Sequence, residues 1–188
     1  NFHLDALKQL GAKITLKNGY IEASAKKLIG SKIRFDGVTV TGTENLMMAA
    51  TLAKGRTALT NVAKEPEIID LAEMLNSMGA KISGAGSDEI IIDGVDSLHG
   101  SEFFIPADRI EAGTYLAAAA VTNGNITVQG INPKRLMKVI YKLDDTGADI
   151  TYDKDSISIS MSKDRPRPVD VTTAPFPEFP TDMQAQFS

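Results

Sequence analysis

Leu4, Leu7 and Leu10 recur at helical spacing, so the chain opens on an amphipathic helix with one apolar stripe. This helix runs into Gly11-Ala12-Lys13-Ile14, and the same turn returns as Gly79-Ala80-Lys81-Ile82 and Gly147-Ala148-Asp149-Ile150. The three glycines stand 68 residues apart each time. A second marker, an Ala-rich run ending in glycine, recurs from Ala49–Gly55 to Ala118–Gly124 at a spacing of 69 residues. Two independent markers with nearly one period identify an internal repeat.

Within each period the order of elements is legible. Ala-rich helices are predicted over Glu44–Ala53 and Glu111–Val121, each closed by a left-handed C-terminal glycine, Gly55 or Gly124. Alternating strands follow at Thr57–Val62 and Asn125–Gly130, then second helices at Glu67–Met78 and Pro133–Thr146. The Gly-Ala turn leads into a hairpin, Ala80–Ser83 with Glu89–Asp93, and again Ala148–Tyr152 with Ser156–Met161. The expected unit is β-α-β-α-β-β, an α/β (α+β) architecture. A single unit leaves an apolar sheet face uncovered, so copies must pack together with helices inside and sheets outside. Composition breaks at Phe103–Arg109, read as a crossing between two lobes, and at Arg165–Val169, read as an extended connector. Both ends look cut, which is expected of a piece of a longer chain.

The 188 residues carry 20 Lys and Arg against 24 Asp and Glu, a net charge of −4. No basic stripe is available for nucleic acid. No apolar run is long enough to span a membrane, and no targeting signal is visible, so a cytoplasmic location is expected. Cysteine is absent, and His3 and His99 have no ligand-type neighbours, so neither a metal nor a cofactor is expected. Gly84-Ala85-Gly86 lacks the helix and the Lys-Ser/Thr pair of a phosphate loop and reads as a hairpin turn. Met47-Met48 reads as core.

Three acidic groupings remain. Glu65 and Glu67 flank Pro66 before a helix, where capping alone explains negative charge. Asp108-Arg109 sits at the crossing, where an ion pair could fix lobe geometry or a cleft could use it. Asp182 follows Phe179-Pro180-Thr181, and two periods counted from Glu44 reach it, so Thr181 or Asp182 is expected to cap a helix. A carboxylate at that place could equally take a proton from a substrate hydroxyl.

The segment Ala174-Pro-Phe-Pro-Glu-Phe-Pro-Thr-Asp-Met-Gln-Ala-Gln-Phe187 resembles the signature of the UDP-N-acetylglucosamine enolpyruvyl transferase family. Val38–Ala50, Glu65–Asp70 and Asp108–Thr114 agree with it in order and spacing, so the resemblance spans all 188 residues. It implies an inside-out α/β barrel of repeated units in two lobes, with substrates held between them. Residues 1–105 would supply half a repeat and one full repeat to the first lobe; residues 107–188 would supply one repeat and the start of the next to the second.

The implied reaction moves the enolpyruvyl group of phosphoenolpyruvate to the 3-hydroxyl of UDP-N-acetylglucosamine and releases phosphate, the first committed step of peptidoglycan synthesis. By resemblance Asp182 is the base that contacts the sugar hydroxyl. Gly37, Val38, Thr39 and Val40 match a strand and loop holding the nucleotide-sugar, and Asn1 and Phe2 match the tail of a uridine-contacting segment. Glu65, Glu67, Asp108 and Arg109 match polar cleft positions. Gly37 and Thr41 depart from the family's usual lysine and glycine, and Asn1 replaces an aspartate. The family's catalytic-loop cysteine, its lysine for phosphoenolpyruvate and several arginines fall outside these residues, so residues 1–188 alone are expected not to turn over. The nearest alternative is transfer to shikimate 3-phosphate, and a binding paralogue without catalysis is a further one.

Overall fold

A computed structural model describes residues 2–162 and 165–188. The chain forms two compact units, Asn1–Phe104 and Ile105–Ser188, each with its own apolar core.

In the first unit, α1 (Phe2–Gln9) leads into a hairpin of β1 (Lys13–Lys17) and β2 (Tyr20–Ser24). Then come β3 (Lys32–Arg34), α2 (Val40–Thr51), β4 (Arg56–Thr60), α3 (Pro66–Ser77), β5 (Lys81–Ser83) and β6 (Glu89–Asp93). This is one β-α-β-α-β-β copy. Its sheet runs β3-β4-β6-β5, with β3 and β4 parallel and the other pairs antiparallel. Alternation turns Ile33, Leu59, Ile90 and Ile92 inward against Leu46, Met47 and Ile68 of the helices, all of them buried.

The second unit holds α4 (Arg109–Val121), β7 (Asn125–Gln129), α5 (Met137–Asp145), β8 (Asp149–Tyr152) and β9 (Ser156–Ser160). Its sheet runs β7-β9-β8. No described residue forms a strand equivalent to β3, so this copy is shorter by one strand than the repeat predicts. Leu116, Val139, Ile140, Leu143, Ile157, Ile159 and Met183 fill its core.

The three repeated turn glycines all have positive φ: Gly11 +92°, Gly79 +100° and Gly147 +94°. Left-handed backbone strains any residue with a Cβ, which is why glycine recurs there. Other expectations are corrected. At the end of α4 the left-handed residue is Asn123 (φ 54°), not Gly124, because asparagine's short polar side chain tolerates that region. The predicted helix 133–146 breaks at Leu136, leaving a 3-10 turn at Pro133–Arg135 before α5. Asn132 stabilises that turn by accepting from the Lys134 N–H at 3.0 Å. Met47 is core, but Met48 points outward. Gly84–Ser87 is a hairpin turn between β5 and β6, as read, and Arg165–Val169 is a connector without regular structure.

Candidate functional site

The first group of candidate residues gathers where α2 begins. The expected start at Glu44 is a turn too late. Thr39 is the N-cap, its Oγ1 accepting from the Gly42 N–H at 3.2 Å, and α2 starts at Val40. The cap forms because Thr43, fully buried, donates to the Thr39 carbonyl at 2.7 Å and accepts from the Ala63 N–H at 3.1 Å. Residues 37–39 therefore form a bend onto a helix start, and Val40 is helical; none of the four is in a strand. Phe2, first in α1, lies across Gly37: a Cβ there would meet the Phe2 ring at 3.6 Å. Phe2 and Val38 are both exposed, so this edge is an accessible apolar surface beside a helix N-terminus. Asn1 lies outside the described residues.

Three carboxylates from α2 and the start of α3 lie near one another in space. Glu65 occupies the N-cap position of α3 and is buried, but its side chain makes no capping bond, contrary to the capping expectation. Glu67 lies in the first turn of α3. Glu44, on α2, has its carboxyl pushed above the ordinary carboxylate range, first by burial and then by the charges of Glu67 and Glu65. Sequence reasoning missed Glu44 as a member of this group, because the α2–α3 approach that makes it one is tertiary. Among the described residues no cluster of three His, Cys, Asp or Glu is arranged to hold a metal ion.

The second unit carries the other candidates. Asp108 is the N-cap of α4, its Oδ1 accepting from the Ile110 N–H at 2.7 Å and the Glu111 N–H at 3.3 Å. Arg109 is buried at the first position of α4, its guanidinium 5.9 Å from the centre of the Phe176 ring. Beyond it, Ala174–Phe187 folds against α4. The Ala174 N–H donates to the Phe179 carbonyl at 3.0 Å, Phe179 meets Phe187 edge to face at 5.0 Å, and Lys138 pairs with Glu178 at 3.1 Å.

This segment presents Asp182 on a 3-10 turn, Thr181–Met183. The expectation that Thr181 or Asp182 caps a helix fails: Pro180 holds the N-cap position, and no side chain caps the turn. Nor does Asp182 share a place with Glu44, which lies inside α2. Met183 anchors the turn, fully buried against Gly113 and Val139, and the Gln186 side-chain amide lies 2.9 Å from the Thr114 hydroxyl. The Asp182 carboxylate itself is exposed and makes no hydrogen bond or ion pair with another described residue. A braced backbone thus carries an exposed carboxylate.

Both units are built on one recurring α/β pattern, and the second presents an exposed carboxylate on a turn packed against α4. The chain belongs to the EPSP synthase (3-phosphoshikimate 1-carboxyvinyltransferase) family, whose profile matches residues 1–188. It is 54% identical over 188 residues to the UDP-N-acetylglucosamine 1-carboxyvinyltransferase of Ruthia magnifica subsp. Calyptogena magnifica. To the enzyme of that name from Aeromonas hydrophila it is 52% identical over 189 residues. Both alignments cover all of this chain and 45% of the relative, so the chain spans just under half the length of the curated relatives it matches. Among solved structures, the enolpyruvyl transferase NikO from Streptomyces tendae has the same fold, with TM-score 0.84 and 21% identity over 99% of this chain and 47% of that one. EPSP synthase from Acinetobacter baumannii has TM-score 0.65 and 22% identity, covering 86% of this chain and 39% of its own.

Proposed function

We propose that this chain belongs to an enzyme that transfers the 1-carboxyvinyl (enolpyruvyl) group of phosphoenolpyruvate to the 3-hydroxyl of UDP-N-acetylglucosamine, releasing phosphate. Such an enzyme acts at the first committed step of peptidoglycan synthesis, in the cytoplasm where its soluble substrates occur. Asp182 takes the hydroxyl proton as the sugar oxygen adds to C2 of phosphoenolpyruvate, while C3 gains a proton. Elimination then breaks the bond from C2 to the phosphate oxygen and returns the C3 proton, restoring the double bond. The acid for C3 and the cations for phosphoenolpyruvate come from outside residues 1–188. Phe2 and Gly37–Val40 hold the nucleotide-sugar; Glu65, Glu67, Asp108 and Arg109 are polar positions near the substrates. Residues 1–105 contribute half a repeat and one full repeat to one lobe, and residues 107–188 contribute to the other.

The observation that carries this reading is the exposed, unengaged Asp182 carboxylate on a turn held by Met183. Transfer to UDP-N-acetylglucosamine rather than shikimate 3-phosphate is favoured by the 52–54% identity to relatives named for the nucleotide-sugar, against 22% to a solved EPSP synthase. The test is phosphate release by a polypeptide that carries this sequence at the length of its relatives, with each acceptor offered separately. Release with the nucleotide-sugar alone is expected. Asp182→Asn then lowers kcat by about 10²–10⁴ and leaves nucleotide-sugar affinity within about tenfold. Release with shikimate 3-phosphate overturns the substrate, and an Asp182→Asn variant of undiminished kcat overturns the base.

A further inference from the structure

His3 belongs to none of the motifs that carry the family resemblance, yet its ring joins two elements of the candidate edge. It stands next to Phe2, whose ring covers Gly37, and its imidazole crosses from α1 to α2. Nδ1 lies 3.0 Å from Asn45 Nδ2, and Nε2 lies 3.5 Å from Thr41 Oγ1. An amide nitrogen donates and does not accept, so Nδ1 is the acceptor of that pair. The proton of the neutral ring then sits on Nε2 and is directed at the Thr41 hydroxyl oxygen. Thr41 and Asn45 are four apart and share one face of α2, so a single ring engages both.

The helix end that His3 grips is itself fixed. Thr39 caps it, and Thr43 ties it to the Thr39 carbonyl and to the Ala63 N–H. The grip ties the first turn of α1, and with it the Phe2 ring beside Gly37, to that helix end. Both partners lie about 40 residues away in sequence, at separations of 38 and 42, so no local pattern could reveal them.

We propose that His3 is a positioning residue for the nucleotide end of the substrate, acting by clasping α2 so that Phe2 is held over the Gly37–Val40 bend. The inference rests on the nucleotide-sugar reading. Its signature is a defect confined to one substrate: the clasp sets the nucleotide edge, while the Asp182 turn and the site for phosphoenolpyruvate are left alone.

The experiment is steady-state phosphate release with both substrates varied, in the polypeptide at the length of its relatives. His3→Ala is expected to raise KM for UDP-N-acetylglucosamine about tenfold, with kcat and KM for phosphoenolpyruvate within about twofold. Asn45→Ala removes the shorter half of the clasp from the α2 side and raises the same KM in the same direction. The double variant is no worse than His3→Ala, because both changes break one contact. His3→Gln, whose amide both accepts and donates, brings KM back to within about threefold of the parent.

An unchanged nucleotide-sugar KM in both single variants overturns the proposal. So does a fall in kcat that merely tracks a fall in melting temperature, which reduces His3 to packing. Should His3→Ala fail to fold, Asn45→Ala and His3→Gln decide the matter alone. A parent that releases no phosphate with the nucleotide-sugar sinks the functional reading and this inference together. An active parent whose variants keep its KM sinks the inference only.

Discussion

Gly113 lies inside α4 directly beneath the turn that carries Asp182, and Gly113→Ala sets two effects against each other. Replacing an interior helical glycine by alanine gains about 1 kcal/mol in helix propensity. The new Cβ, however, would sit 3.0 Å from Met183 Cε, 3.1 Å from Met183 Sδ and 3.5 Å from Val139 Cγ1. The two tight contacts are with the end of a flexible side chain, so Met183 yields by a few tenths of an ångström at about 0.5–1.5 kcal/mol. The terms nearly cancel, and folding stability stays within about 1 kcal/mol, some 5 °C in melting temperature for a unit this size.

Catalysis does not share that cancellation. Met183 is the residue after Asp182, and both belong to one 3-10 turn, so the adjustment reaches the carboxylate. Since a displacement of about 1 Å can lower a rate about 10²-fold, a few tenths should lower kcat about 3- to 30-fold. The assay pairs thermal unfolding with steady-state phosphate release, for Gly113→Ala and for the volume-conserving Met183→Leu. Near-parental melting with reduced kcat and a nucleotide-sugar KM within about threefold is expected. An undiminished kcat for Gly113→Ala, or a rate loss explained wholly by unfolding, would refute the link between the α4 face and Asp182.

Thr43→Val leaves the buried Ala63 N–H without its acceptor and should cost about 1–3 kcal/mol, read as a lowered denaturant midpoint with an unchanged m-value. Gly37→Ala, whose Cβ would make only ordinary contact with Phe2, should be neutral to mildly stabilising by up to about 1 kcal/mol. Gly94→Ala, whose Cβ would collide with the Ala53 carbonyl oxygen, should cost more than about 4 kcal/mol or prevent folding of the first unit. Because burial and then Glu67 and Glu65 raise the Glu44 carboxyl in the folded state, its favourable contribution is complete below the ordinary carboxylate range. That contribution is lost as pH climbs through the raised value, so Glu44→Gln should flatten this part of the stability–pH profile and stabilise the first unit at pH 7. A steeper profile in the variant would contradict the assigned cause.

The repeat, the turn glycines and the hairpins were legible in the chain because each is a local conformational demand. A left-handed turn asks for glycine, and a half-buried strand asks for alternation at period two, whatever lies elsewhere. Element starts were less legible. α2 begins at Val40 because Thr43 reaches a backbone N–H twenty residues on, and α5 is cut short at Leu136 after a 3-10 turn that Asn132 holds. The word pattern around Asp182 pointed to a base, but local rules read the same residues as a helix cap. Only the packing of Met183 on Gly113, with Pro180 at the cap position, left that carboxylate unengaged. His3, Glu44 and the strand missing from the second copy were likewise decided in three dimensions: composition and spacing record which groups a chain carries, whereas hydrogen bonds, burial and charge repulsion depend on which distant groups folding brings within a few ångströms.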